Sequence, residues 1–183
     1  VLNRLFRRSS NQRTVAELYG RIVAQARSES FFTGVGVPDT IEGRFELIAL
    51  HAWLVMRRLS REGRGAAEFN QALFDFMFAD LDLNLREAGV SDLKVGDKVK
   101  ELATHFYGRV KAYEDGVSPG AAQGALEAAL DRNLFGSTLP EPRHVAAMVE
   151  YVRREAAALD AEPADGLLKG RVTFGPAPQA WEE

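Results

Sequence analysis

Phe69-Asn-Gln-Ala-Leu-Phe-Asp-Phe-Met-Phe-Ala-Asp-Leu-Asp-Leu-Asn-Leu-Arg-Glu-Ala-Gly89, followed by Val90-Ser-Asp-Leu-Lys-Val-Gly96, is the stretch whose reading decides the fold. Its apolar residues fall on nearly every face of a helix and four phenylalanines lie between Phe69 and Phe78, yet Asp75, Asp80, Asp82, Arg86 and Glu87 stand among them. A helix serving only as core has no need of those charges, and a helix serving only as surface has no need of those rings. The combination predicts a polar arrangement organised on a buried helical scaffold.

Helices extend from this stretch in both directions. On its N-terminal side, Thr14-Val-Ala-Glu17 has capping-box spacing, and Val15, Leu18, Tyr19, Ile22, Val23 and Ala26 recur at intervals of three and four, a first amphipathic helix. The glycines and proline between Phe31 and Pro38 break it, and Asp39 or Thr40 caps a second helix ending near Leu59. On the C-terminal side, Gly89 is placed to end the Phe69 helix in a left-handed cap. A fourth helix starts near Gly96 or Asp97 with Val99, Leu102, Phe106, Val110 and Tyr113 on one face. Ser118-Pro119 opens a fifth, alanine-rich helix to about Leu134, and Val145, Met148, Val149, Val152 and Ala156 mark a sixth.

The pattern predicts an all-α protein, a single helical domain of about six to seven helices with an irregular C-terminal tail. Its parts are a basic N-terminal segment at 1–13, a helical domain at 14–159 and a tail at 160–183, where only Gly170-Arg-Val-Thr-Phe174 suggests an extended run. The second and third helices, Thr40 to Leu59 and Ala66 to Ala88, are expected to form the buried centre, since only these are apolar on more than one stripe.

Composition sets the outer limits. The chain has 183 residues, 46% of them hydrophobic and 27% charged, a balance suited to a soluble domain. A net charge of −3 gives no general electrostatic attraction to nucleic acid, and the absence of cysteine excludes disulfides, thiol catalysis and thiolate metal sites. The richest apolar run, Leu47 to Met56, is interrupted by His51 and falls short of the roughly 20 residues that a membrane span needs. Val1-Leu-Asn-Arg-Leu-Phe-Arg-Arg8 is too short and too charged for a secretory signal, although it suits a frayed terminus or contact with an anionic membrane.

The sequence offers no reaction centre of a familiar kind. No phosphate-binding Gly-x-x-x-x-Gly-Lys loop and no Gly-x-Ser-x-Gly elbow occur. His51, His105 and His144 fall on three separate helices without a nearby metal-ligand partner and read as helix-face residues. No cofactor is expected. The carboxylates keep one alternative open, a magnesium-dependent, all-helical isoprenoid-type enzyme using Asp75, Asp80 and Asp82. Against it, Asp75 and Asp82 share a face while Asp80 points elsewhere, and no second helix carries the further acidic cluster such chemistry needs.

Three ordered blocks carry a family resemblance. Gly36-Val-Pro-Asp-Thr-Ile-Glu-Gly-Arg-Phe-Glu-Leu-Ile-Ala-Leu-His51, the run from Leu73 to Gly96, and Phe106-Tyr-Gly-Arg-Val-Lys-Ala-Tyr113 together resemble the ubiquinol-cytochrome c chaperone family, across roughly Tyr19 to Tyr113. The resemblance implies an assembly factor for the cytochrome bc complex rather than an enzyme. In mitochondria, members engage newly made cytochrome b, work with a small partner protein and associate with the ribosome near its exit. The residues it carries over are Pro38, Asp39, Arg44, His51, Asp75, Asp80, Asp82, Arg86, Glu87, Gly89, Asp92, Gly96, Tyr107, Gly108, Arg109 and Tyr113.

Pro38, Asp39, Gly89 and Gly96 read as helix-boundary residues, and Gly108 as a point of close helix approach. For Arg44, Asp75, Asp82, Arg86, Glu87 and Arg109, internal ion pairs and a surface left for a client are both open. Phe31, Phe32 and Val35, with Phe74 and Phe78, are the apolar candidates for client contact, in competition with a core role, and Asp80, Asp92, Tyr107 and Tyr113 stand with the charged residues as further partner-binding candidates. The alanine and arginine richness and the lack of a targeting segment suggest a bacterial protein at the inner face of the cytoplasmic membrane, for which the small mitochondrial partner and the ribosome contact need not carry over.

Overall fold

In the computed structural model, backbone is described for residues 2–136 and 138–179, and side chains from residue 11 onward. Helices account for the architecture, and no strand occurs among the described residues. They are α1 (Leu2–Ala26), the single turn α2 (Ser30–Thr33), α3 (Ile41–Leu59), α4 (Arg64–Glu87), α5 (Asp92–Val117), α6 (Ala125–Leu130) and α7 (Pro142–Ala161). The basic side chains of residues 1–8 lie outside the described residues.

α3 is the axis of the bundle. Thr40 starts it by accepting a hydrogen bond from the Gly43 N–H at 3.1 Å, and from Phe45 to Val55 every residue but Ile48 is buried. A helix apolar all round needs neighbours all round, and α1, α4, α5 and α7 supply them. Trp53, Leu47, Leu50 and Leu54 are fully enclosed, each worth about 1.5–3 kcal/mol of transfer free energy. Charged groups brace the far end. Arg57 donates from Nη1 to both Asp160 oxygens at 2.8 Å and places Nε 3.1 Å from Glu114, tying α3 to α7 and α5.

α4 departs from expectation. It buries one stripe, Ala66, Phe69, Leu73, Met77, Phe78, Leu81 and Leu85, and leaves Phe76 and Leu83 exposed. It covers the axis from one side instead of sharing the centre with α3. Its end does follow the expected chemistry: Gly89 adopts φ +87°, its N–H reaches the Arg86 carbonyl and the Val90 N–H reaches that of Leu85, closing a left-handed cap.

Several boundaries differ for identifiable reasons. α1 begins at Leu2 and runs through Thr14 and Glu17, because residues 2–19 hold no glycine or proline to stop it. α5 starts at Asp92, where Ser91 takes the extended N-cap conformation, so Gly96 lies within the helix. Ser118 ends α5 instead of opening the next helix: its hydroxyl donates to the Glu114 carbonyl at 2.6 Å, and α6 begins only after the turn at Gly120 and Gly124. α6 then loosens into one π turn, Asp131–Phe135. A Cβ on Gly108 would meet no neighbouring element within 4 Å, whereas one on Gly116 would lie 2.9 Å from the Leu126 Cα; the close approach to α6 is made there.

The chain beyond α7 is irregular but packed. Ala164, Leu167 and Val172 are buried, and the short turn Leu167–Lys169 leads back to α1.

Candidate recognition surface

α4 and α5 form an antiparallel hairpin joined by aromatic rings. Phe74 stacks on Phe78 with centroids 4.7 Å apart, meets Phe106 at 5.6 Å and Tyr107 at 5.5 Å, and Phe78 reaches Phe45 of α3 at 6.1 Å. The ladder therefore runs from the core to solvent, where Tyr107 is 61% exposed. Further apolar side chains stand out on the same two helices: Leu83 is 59% exposed, Leu93 is 92% exposed, and Phe76 is 36% exposed with its ring edge-on to Tyr19. Exposed large apolar side chains on one hairpin make it the candidate for a contact surface.

Charges frame these groups. Arg86 bonds Asp82 at 2.5 Å and also pairs with Asp92, bridging the α4–α5 turn at the surface. Asp75 accepts from Gln71 at 2.8 Å. Asp80 accepts from the Tyr19 hydroxyl at 2.8 Å and from Asn84, and burial together with the Asp80 charge pushes the Tyr19 phenol well above its ordinary range. Glu87 is exposed. The three carboxylates of the enzyme alternative are thus engaged by different neighbours, and no group of three His, Cys, Asp or Glu side chains among the described residues converges to hold a metal ion.

Arg109 behaves differently from Arg86. It faces inward from α5 and grips Glu46 of α3 through Nε and Nη2, with both side chains largely buried. Burial pushes the Glu46 carboxyl upward while the guanidinium pulls it down. Such a pair fixes how α5 sits on α3, because neither charge tolerates losing the other. Of the two roles open for the charged residues, Arg109 takes the internal one. At the entry to α3, Arg44 bonds Asp39 at 2.6 Å in the open, holding that carboxyl below its usual range.

Phe31, Val35, Phe78 and Tyr113, all expected among the contacts, belong to the interior. Phe31 is enclosed against His51 and Tyr151, and Tyr113 packs on Trp53, so both act in packing. Phe78 is likewise buried, while Phe32 and Phe74 are half-buried against the core. His51 is a core residue as well: its ring is buried and its pKa is pushed down to about 4 by desolvation.

Sequence reading missed Glu46, Arg57, Tyr151 and Glu155. Their common signal was a charge or hydroxyl on an inward helical stripe. Glu46 stands between Phe45 and Leu47, where a carboxylate needs a partner.

The molecule is thus an all-helical domain, with ion-pair bridges inside and a hairpin outside that carries exposed apolar and charged side chains. The chain belongs to the ubiquinol-cytochrome C chaperone family, whose model matches residues 33–174. It is 31% identical over 160 residues to the human ubiquinol-cytochrome c reductase complex assembly factor 1, covering 87% of this chain and 53% of that protein. The mitochondrial protein CBP3 of Saccharomyces cerevisiae is 28% identical over 147 residues, 76% of this chain and 43% of its own length. The chain spans about half the length of these curated relatives. The crystal structure of the Cbp3 homolog from Brucella abortus superposes with a TM-score of 0.83 at 35% identity, over 98% of this chain and 99% of that one.

Proposed function

We propose that this chain is an assembly chaperone for the ubiquinol-cytochrome c reductase complex, and that it binds newly made cytochrome b by recognition alone, without catalysis or nucleotide hydrolysis. The observation that carries the reading is the family match across residues 33–174, whose relatives are named as assembly factors of that complex. The client surface is the α4–α5 hairpin, where Leu83, Leu93, Tyr107 and Phe76 are presented to solvent beside the Arg86 bridge. Exposed aromatic and aliphatic anchors ringed by charge suit a transmembrane client that shows both apolar segments and charged loops before it is assembled. No described helix is long and apolar enough to cross a membrane. The proposal places the encounter with the client at the inner face of the cytoplasmic membrane.

Site-specific photocrosslinking from Leu83 and Tyr107, in cells making cytochrome b, tests the surface. Adducts with cytochrome b are expected from both positions. Deletion of the gene should lower assembled complex, and wild-type levels after deletion would remove the reading altogether.

A further inference from the structure

α4 keeps one face open to solvent. Ala72, Phe76, Ala79 and Leu83 follow one another at intervals of four, three and four residues, so they form a single stripe along that face. Phe76, Ala79 and Leu83 are exposed and Ala72 is half-buried, while the buried stripe of the same helix, Ala66 to Leu85, lies on its other side. Arg86 follows Leu83 by three residues and pairs with Asp82 and Asp92, which ends the stripe.

Apolar positions at intervals of three and four, sustained over about 16 Å, are the pattern by which one helix seats another. The stripe alternates small and large side chains, so a partner helix can approach closely at Ala72 and Ala79 and pack around Phe76 and Leu83. Phe76 is fixed in advance. Its ring stands edge-on to Tyr19 at 5.4 Å, and the Tyr19 hydroxyl is held by Asp80 at 2.8 Å. A side chain held before binding loses little freedom on binding.

Charge selects the helix that fits. In heptad register Asp75 and Asp82 border the stripe on one side, Asp80 and Glu87 on the other. Asp75 accepts from Gln71, and Asp80 accepts from Tyr19 and Asn84, all uncharged donors. Among the described residues no Lys or Arg forms an ion pair with Asp75, Asp80 or Glu87. Three unanswered negative charges beside an apolar stripe attract a helix that carries Lys or Arg on both flanks of its own apolar stripe. They oppose α4 of a second copy, which would set carboxylate against carboxylate, and a segment apolar all round would leave them unanswered.

We propose that the outer face of α4 is a docking seam for an amphipathic helix with basic flanks, packed in heptad register on Phe76 and Leu83. The proposal rests on the reading of the α4–α5 hairpin as a recognition surface, and it narrows the partner taken there to one chemistry.

The test uses the full chain and synthetic helical peptides of about three heptads, with leucine at the seam positions and lysine, glutamine or glutamate at the flanking ones. In fluorescence anisotropy at roughly physiological ionic strength, the lysine peptide should bind saturably and at least about 10-fold more tightly than the glutamine peptide, and the glutamate peptide should not bind. Leu83→Ala should weaken the lysine peptide about 10-fold and Asp75→Asn about 3-fold, with the unfolding midpoint unchanged in both. Backbone amide NMR shifts should move along residues 72–83 and stay fixed in α7. Equal binding of the lysine and glutamine peptides, binding of neither, or binding indifferent to Leu83→Ala would overturn the proposal. Self-association of the wild-type chain in sedimentation, lost in Leu83→Ala, would overturn it as well by placing a second copy on this face. Cytochrome b enters none of these readouts. Failure of the peptides beside cytochrome b adducts from Leu83 would remove the seam and keep the assembly function, whereas peptide binding beside wild-type complex levels after gene deletion would do the reverse.

Discussion

α3 and α4 look alike as sequences and part company as structures. Both are long, rich in large apolar residues and marked by charges. From Phe45 to Val55 α3 is enclosed almost throughout, and the charges in and beside that run are drawn onto partners, Glu46 onto Arg109 and Arg57 onto Asp160 and Glu114. α4 buries a single stripe and turns Asp75, Arg86 and Glu87 to solvent along with Phe76 and Leu83. Apolar content therefore sets how much a helix can bury, while its neighbours decide how much it does bury. What is left uncovered on α4 is the surface that the proposed function uses.

The comparison breaks most visibly at Arg109. Arg109→Glu would set a second carboxylate against the buried Glu46, and a loss of roughly 3–5 kcal/mol or failure to fold is expected in denaturant titrations. A fully stable Arg109→Glu protein would mean that the bridge does not fix α5 on α3. Leu54→Ala on α3 should cost about 3 kcal/mol through the cavity it leaves, whereas Leu83→Ala on α4 should leave the unfolding midpoint almost unchanged. Equal costs would erase the distinction between the two helices.

The buried His51 gives a smaller, pH-dependent effect. Its folded pKa near 4 lies below the ordinary 6.5, so between those values the unfolded chain binds a proton that the folded chain refuses. Stability contributed by neutral His51 is complete above pH 6.5 and declines as pH falls toward 4, by about 2 kcal/mol at pH 5. Glu46, raised by burial, works in the opposite direction, its contribution being lost as pH rises through its folded pKa. A site-resolved measurement is therefore needed: the His51 ring carbons should keep neutral-form NMR shifts at pH 5. A His51 titrating near 6.5 would show that the interior of α3 is wetter than its packing implies.

The smallest expected effect on stability is at Arg86, and there the comparison can be sharpened. Arg86→Glu should leave the unfolding midpoint and helix signal unchanged, since its pairs are exposed, yet lower the amount of assembled complex if the hairpin meets the client. Normal assembly with a normal fold would move the client surface off this hairpin.

Much of this was legible in the residues. The helical class, the cap at Thr40, the left-handed stop at Gly89 and the enclosed run around Trp53 all follow from local chemistry, because periodicity, capping oxygens and glycine act within a few residues of themselves. The family was legible too, in three ordered blocks. The sequence could not say that Arg109 faces Glu46 while Arg86 faces solvent, since that choice depends on partners 63 residues away in one case and 4 to 6 in the other. Nor could it show that Phe31 and Tyr113 are enclosed, or that residues 172–176 lie along α7 instead of trailing free. Those outcomes belong to tertiary structure for one physical reason: burial and ion pairing are properties of surfaces brought together, and a side chain's own neighbours in sequence do not specify which surface it will meet.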